Sequence, residues 1–244
     1  MSVFLYKFFH NETNDKTEKG LINIPSDKTT WPSSWSIIKY KQYNLFKEVV
    51  LPLVKGDLFT RLLSKRTSQE KSVLANVLTL PTLSYILQCG YGLQNQSEER
   101  KENRTVPSGG KRYPLEVYVF LFSQVDTCKP GIYHYSVKNH TLEPVVLQDF
   151  SEEDIMLLMP FGWTKKPWGF ICITSIFERS IEKYGSRGYR YVLLEAGHVA
   201  QNMLLAATEN NLSMLPNAGS NEVTIENRIG LSGQGECVIY TLFF

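Results

Sequence analysis

From about Gly188 to Glu209, apolar residues nearly encircle what reads as one long helix, and this segment limits the possible folds more than any other. Val192, Leu193, Leu194, Val199, Met203, Leu204 and Leu205 leave little room for a polar stripe, and Asn210-Asn211 ends the pattern. A helix apolar on nearly every side must be buried, either in a large core or in a subunit interface. The rest of the chain has to supply the layers that cover it.

Several segments have the character of those layers. Leu115 to Phe122 is rich in β-branched and aromatic residues and reads as a central strand. Gly131 to Tyr135 and Leu142 to Val146, with a polar turn between them, suit a hairpin. Trp168 to Phe177 and Cys237 to Phe243 read as two more strands. Helical spacing is seen from Asp57 to Leu63 and from Leu83 to Gly92, and Ser151-Glu-Glu-Asp154 opens another helix with a capping pattern. Helices and strands do not alternate strictly, so the expected class is α+β, a central antiparallel-type sheet flanked by helices. Residues 1–55, with Pro25, Pro32 and Pro52, are expected to form an irregular arm, and residues 56–244 the main domain.

Composition removes several function classes. With 26 basic and 24 acidic residues the net charge is +2, which provides no strong field for nucleic acid. No apolar run approaches the length needed to cross a bilayer, and the chain reads as cytoplasmic, with no membrane partner. Cys89, Cys128, Cys172 and Cys237 lie far apart without a CxxC pair, so no metal site is expected. Two phosphate signatures fail on inspection. Ser108-Gly-Gly-Lys111 is followed by Arg112 where a P-loop needs Ser or Thr, and Gly230-Leu-Ser-Gly233-Gln-Gly235 precedes a strand rather than a helix.

Three short segments each have a chemical reading and a plainer one. Lys65-Arg66-Thr67-Ser68, at a helix end, offers a charged fork and two hydroxyls to a phosphate, or compensates the helix dipole. Pro107-Ser108-Gly109-Gly110 lets backbone approach a flat ring, or is simply a loop. Pro216-Asn-Ala-Gly219 could turn backbone N–H groups toward a ring, or is again a loop.

A fourth segment is sharper. Arg179-Ser-Ile-Glu-Lys183-Tyr184-Gly185-Ser-Arg187-Gly188-Tyr189-Arg190-Tyr191 runs into Leu194-Glu195-Ala196-Gly197-His198-Val-Ala-Gln201-Asn202. Together with Pro107-Ser-Gly-Gly-Lys-Arg-Tyr-Pro-Leu-Glu116, Gly131-Ile-Tyr-His-Tyr135, Leu142-Glu143, Phe9-His10 and Leu51-Pro52, it resembles the SagB-type dehydrogenases over nearly the whole chain. These are enzymes of the FMN-dependent nitroreductase superfamily that oxidise azoline rings in thiazole- and oxazole-containing peptides.

The resemblance implies a nitroreductase-like fold and a homodimer in which the long helix is a buried interface element. It implies FMN as cofactor, held by Arg66, Thr67 and Ser68 near the phosphate and ribityl chain. Pro107, Ser108 and Gly109 would reach the flavin, usually that of the partner subunit, and Pro216, Ala218 and Gly219 would underlie the ring. Lys183 and Tyr184 match the catalytic pair, and His198 and Asn202 either support the site or serve structure. The sequence departs from the family pattern at Glu70, where a basic residue is common, although Lys71 is adjacent, and in lacking a short glycine-containing tail after Phe244. Arg190 or Arg228 would then complete the phosphate contacts.

Forming an azole removes a hydride and a proton from neighbouring ring atoms, so a base must stand beside the hydride acceptor. An ordinary lysine amine, titrating near 10.4, is a poor base at neutral pH, and burial together with cationic neighbours such as Arg179 or Arg187 is what would suit one to the task. The implied function is azoline dehydrogenation on a ribosomally made peptide, beside a cyclodehydratase complex. Two other functions remain open: an NAD(P)H-dependent nitro- or quinone reductase, and a non-catalytic subunit of a peptide-modifying complex.

Overall fold

A computed structural model describes residues 3–13, 27–43, 45–52, 56–68, 77–94, 102–158, 167–231 and 235–244. Glu70 and Lys71 fall outside them. The elements, in chain order, are α1 (Val3–Thr13), a short α2 (Ser33–Ser36), α3 (Leu58–Lys65), α4 (Leu80–Tyr91), β1 (Leu115–Leu121), β2 (Gly131–Ser136) and β3 (Thr141–Leu147). They continue with α5 (Glu152–Leu158), β4 (Gly169–Ile176), α6 (Glu178–Tyr184), α7 (Arg187–Glu209), β5 (Leu215–Asn217), α8 (Glu222–Ile229) and β6 (Glu236–Phe243). The strands form one sheet in the order β3-β2-β1-β4-β6-β5, and every neighbouring pair is antiparallel. The α+β class with a central antiparallel sheet is therefore observed.

Each face of the sheet has its own apolar layer, which explains why β1 reads as an unbroken apolar run rather than an alternating one. Along β1, Val117, Val119 and Leu121 join the cluster containing Leu83, Ile86 and Leu87 of α4 and Val192, Val199 and Met203 of α7. Tyr118 and Phe120, one residue out of phase, join Phe170, Ile225, Ile229 and Phe243 on the opposite face, beneath α5 and α8. Phe120 and Phe170 stack with centroids 4.2 Å apart. The outer strand β3 is largely exposed and carries Pro144, a residue that edge strands tolerate.

Local signals set the helix ends. Asp57 caps α3 by accepting the Thr60 N–H at 2.8 Å, and Asn221 caps α8 by accepting the Thr224 N–H at 3.1 Å. Ser151 and Asp154 bond reciprocally at the start of α5: Ser151 Oγ accepts the Asp154 N–H at 3.1 Å, and Asp154 accepts the Ser151 N–H at 3.0 Å. Between α6 and α7 the chain reverses at Gly185, whose φ of +55° favours glycine. Three residues later Gly188 packs on α6, where a Cβ would lie 3.0 Å from the Ser180 backbone.

The structure differs from the sequence expectations in several places. Val3–Thr13, inside the stretch expected to be irregular, is a helix. Its Tyr6 and His10 are buried against Phe177 and Tyr189. The helices α6 and α8 and the strand β5 have no counterpart among the expected elements. Finally, α7 is covered on one face only: Val192, Ala196, Val199 and Met203 are buried, whereas Leu193 is 39% and Leu194 62% exposed. Within one chain, then, the apolar girdle of this helix is half covered.

Candidate active site

The two segments with the strongest chemical character meet at one end of the molecule. Lys183 and Tyr184 are the last residues of α6. The loop before β1 forms a tight turn over Gly109–Lys111 and lays Gly110 against them. A Cβ on Gly110 would fall 2.5 Å from Tyr184 Oη and 2.7 Å from Lys183 Nζ, so both polar heads converge on Gly110 and a side chain there would displace them. Gly110 has φ +61°, and Lys111 and Tyr113 also lie in the left-handed region, at φ 56° and 44°. Lys183 Nζ lies 5.4 Å from the centroid of the Tyr184 ring. That ring in turn meets Tyr191 of α7 edge-on at 5.1 Å. Lys183 is exposed and Tyr184 half-buried in the single chain.

Helix α6 is tied to the segment leading into β1. Arg179 Nη1 donates to Glu116 at 2.6 Å and to the Tyr113 carbonyl at 3.1 Å. Arg112 Nε donates to the Arg179 carbonyl at 2.8 Å. On the other side of Glu116, His134 bridges to it at 3.1 Å and to Glu143 at 3.0 Å. Burial works against ionisation of Glu116, but hydrogen bonds from His134 and Arg179 and their charges outweigh it, so its pKa lies below the usual carboxylate value. The hydrogen bond to Glu116 raises the His134 pKa; burial opposes this and Glu143 reinforces it. The charge of Arg179 is thus committed to Glu116 rather than to Lys183.

The other sequence candidates lie elsewhere. Arg66 follows α3, its N–H donating to the Leu62 carbonyl at 3.0 Å, and its Nη1 donates to Ser68 Oγ at 3.1 Å. Thr67 and Ser68 are exposed. The neighbouring Lys65 Nζ donates to Asn211, just past the C-terminal end of α7. At 23 residues, α7 is about 34 Å long. Lys183 and Tyr184 precede its N-terminal end, so a single chain keeps Arg66, Thr67 and Ser68 apart from them. In the third segment, Pro216 pairs with Leu242, and the turn after it is shaped by Asn217, whose Oδ1 accepts the Gly219 N–H at 3.0 Å. Asn217 Nδ2 donates to Ser220 Oγ at 3.0 Å, and Thr241 Oγ1 donates to the Asn217 carbonyl at 2.8 Å. Ala218 and Gly219 are left exposed.

The lesser candidates divide. Asn202 Nδ2 donates to the Cys89 carbonyl at 3.4 Å, a link between α7 and α4. His198 and Arg190 are exposed on α7. Arg228 is paired with Asp154 on the face covered by α5 and α8, which makes it a poor phosphate ligand. Asn217, whose position before Ala-Gly marks an Asx turn, and Glu195, a buried carboxylate in the apolar stripe of α7, are not among the residues the sequence singles out.

Residues 63–243 match the Nitroreductase family. A candidate nitroreductase of Methanocaldococcus jannaschii, MJ1384, is 33% identical over 68% of this chain and 80% of its own length. The microcin B17-processing protein McbC of Escherichia coli is 27% identical over 69% of this chain, and the match spans 62% of McbC. Among solved structures, a chain of the E. coli microcin synthetase McbBCD complex with truncated pro-MccB17 bound overlays with a TM-score of 0.72. That overlay has 22% identity and covers 100% of this chain and 92% of the other, a likeness of fold.

Proposed function

This chain belongs to the nitroreductase family, and on that premise we propose that it is an FMN-dependent dehydrogenase oxidising azoline rings to thiazoles or oxazoles in a ribosomally made peptide. The observation that carries the reading is the convergence of Lys183 Nζ and Tyr184 Oη on the side-chain-free Gly110. The likeness to McbC, a microcin-processing protein, supports a peptide as substrate. The same likeness to McbC supports a place in a peptide-modifying complex, where a cyclodehydratase would make the rings.

The residues present fit a flavin. Gly109 and Gly110 expose backbone that a planar ring can approach, and Arg66 with exposed Thr67 and Ser68 offers a cation and hydroxyls to a phosphate. One flavin cannot reach both ends of α7 in one chain. A homodimer packed through the open Leu193–Leu194 face would bring the Arg66–Ser68 segment of one copy toward the Pro107–Gly110 loop and Lys183–Tyr184 of the other. Ala218 and Gly219 would then lie beneath the ring.

Bound FMN supplies the hydride acceptor. Lys183 Nζ takes the proton from the ring carbon that bears the carbonyl, and Tyr184 Oη aligns the amine or relays the proton. Closure of the peptide and the second subunit over Lys183 supplies the burial that the single chain does not give it.

An absorbance spectrum of the purified protein, followed by incubation with an azoline-bearing peptide, tests the reading. A yellow protein that lowers the peptide mass by two hydrogens per ring, and whose flavin NADPH does not bleach, agrees with it. Rapid bleaching by NADPH without peptide oxidation would indicate a nitro- or quinone reductase. A colourless protein that FMN does not reconstitute would indicate a non-catalytic subunit.

A further inference from the structure

Apolar packing gives α6 little hold. Of its seven residues only Ser180 and Ile181 are buried, and a helix this short takes its stability and its orientation from tertiary contacts. Lys183 and Tyr184 end this helix, so its rotation decides where their polar heads lie.

Arg179 stands one turn before Lys183, on the same side of α6. Its Nη1 donates to Glu116 Oε1 at 2.6 Å and to the Tyr113 carbonyl at 3.1 Å. Its own carbonyl accepts from Arg112 Nε at 2.8 Å. Glu116 belongs to β1, a strand paired on both sides, and its backbone is in register with Thr174 of β4. The Glu116 side chain is 18% exposed and that of Arg179 36%. Their charges are therefore screened less than those of a pair on open surface.

The turn that Arg179 reaches needs holding. Gly110, Lys111 and Tyr113 all have positive φ, and two of the three are not glycine. Such conformations persist only where the surroundings over-determine them. Tyr113 is gripped on both sides of its Cα: its N–H donates to Ser108 Oγ at 2.9 Å, and its carbonyl accepts from Arg179. Helix α6 thus meets the turn twice, at Tyr113 through Arg179 and at Gly110 through Lys183 and Tyr184.

We propose that Glu116 and Arg179 are positioning residues, a clamp that ties α6 and the Gly109–Lys111 turn to the central strand β1 and so sets Lys183 and Tyr184 at Gly110. The inference rests on the reading that Lys183 and Tyr184 act on the substrate. Glu116 and Arg179 act only through them.

The test uses the full-length protein with Glu116→Ala, Glu116→Gln, Arg179→Met and the double variant Glu116→Ala/Arg179→Met. His134→Gln is the control, because it removes the other partner of Glu116 and leaves Arg179 in place. Amide hydrogen exchange of residues 109–113 is followed in protein stripped of flavin, and kcat and KM are measured with an azoline peptide after reconstitution. Glu116→Ala and Arg179→Met should each speed exchange of the turn. Each should also lower kcat about 10-fold or more with little change in KM, the pattern of a mispositioned group. The double variant should be no worse than the poorer single one, because both remove the same link. Glu116→Gln, which still accepts from Arg179, should recover most of the loss, and His134→Gln should keep the parent kcat. Parent-like exchange and kcat in Arg179→Met, or losses that multiply in the double variant, would overturn the proposal. So would a loss in His134→Gln as large as that in Glu116→Ala, since it would mark general destabilisation. Should Glu116→Ala fail to fold, Arg179→Met and Glu116→Gln still decide it. A parent protein that oxidises no azoline would refute the functional reading instead, while the exchange data would still judge the clamp itself.

Discussion

Met203 of α7 fills the space that Gly90 of α4 leaves open: a Cβ on Gly90 would lie 2.3 Å from Met203 Cγ. This contact seats the long helix on its neighbour and fixes the height at which Glu195, two turns earlier, meets Tyr91.

Gly90→Ala should therefore overpack the α4–α7 contact. Inserting a methyl group into such a site costs about 1–3 kcal/mol. Thermal unfolding should show a midpoint several degrees below that of the parent protein; an unchanged midpoint would mean that Met203 moves aside freely.

Gly110→Ala combines backbone strain at φ +61° with a methyl group 2.5 Å from Tyr184 Oη. The strain alone should cost about 1 kcal/mol, and displacement of Lys183 and Tyr184 should lower kcat about 10-fold or more. Gly230→Ala is the control. It carries comparable strain at φ +85° with open space around it, so it should lose stability and keep its turnover.

The His134 bridge predicts a pH dependence of stability. Its pKa is raised above 6.5 in the folded state, so its contribution is complete below 6.5 and fades as pH climbs through the raised value. Glu116 works in the opposite sense: its lowered pKa gives stability that is present at neutral pH and lost on acidification. The unfolding midpoint of the parent protein should fall as pH rises above 6.5, and His134→Gln should flatten that limb while leaving an acid limb in place.

Arg66→Ala should weaken FMN binding about 10-fold, or roughly 1.4 kcal/mol, the scale of one lost charge-assisted hydrogen bond. Titration of FMN into stripped protein measures it directly. Equal affinity in the variant would move the phosphate site away from α3.

What the sequence revealed follows from what buries each element. Strands β1, β4 and β6 lie under helices on both faces, so their apolar runs were plain. The seven-residue helix α6 has only Ser180 and Ile181 buried, and its charged residues mask any periodicity. Three-residue β5 gives no pattern at all. Lys183 and Tyr184 are candidates through resemblance alone, since nothing in their spacing marks them. Glu195 had a visible signal, an acid in register with Val192 and Val199, but it was hidden by the expectation that α7 is apolar all round. The separation of Arg66 from Lys183 along α7 could not be read from one chain's sequence, because it arises from how α3 docks at Asn211.

Lys183→Ala is the most direct test of the account. The variant should keep its bound FMN, seen as an unchanged flavin absorbance band, and no longer oxidise the azoline peptide. A variant that oxidises the peptide at the parent rate would contradict it.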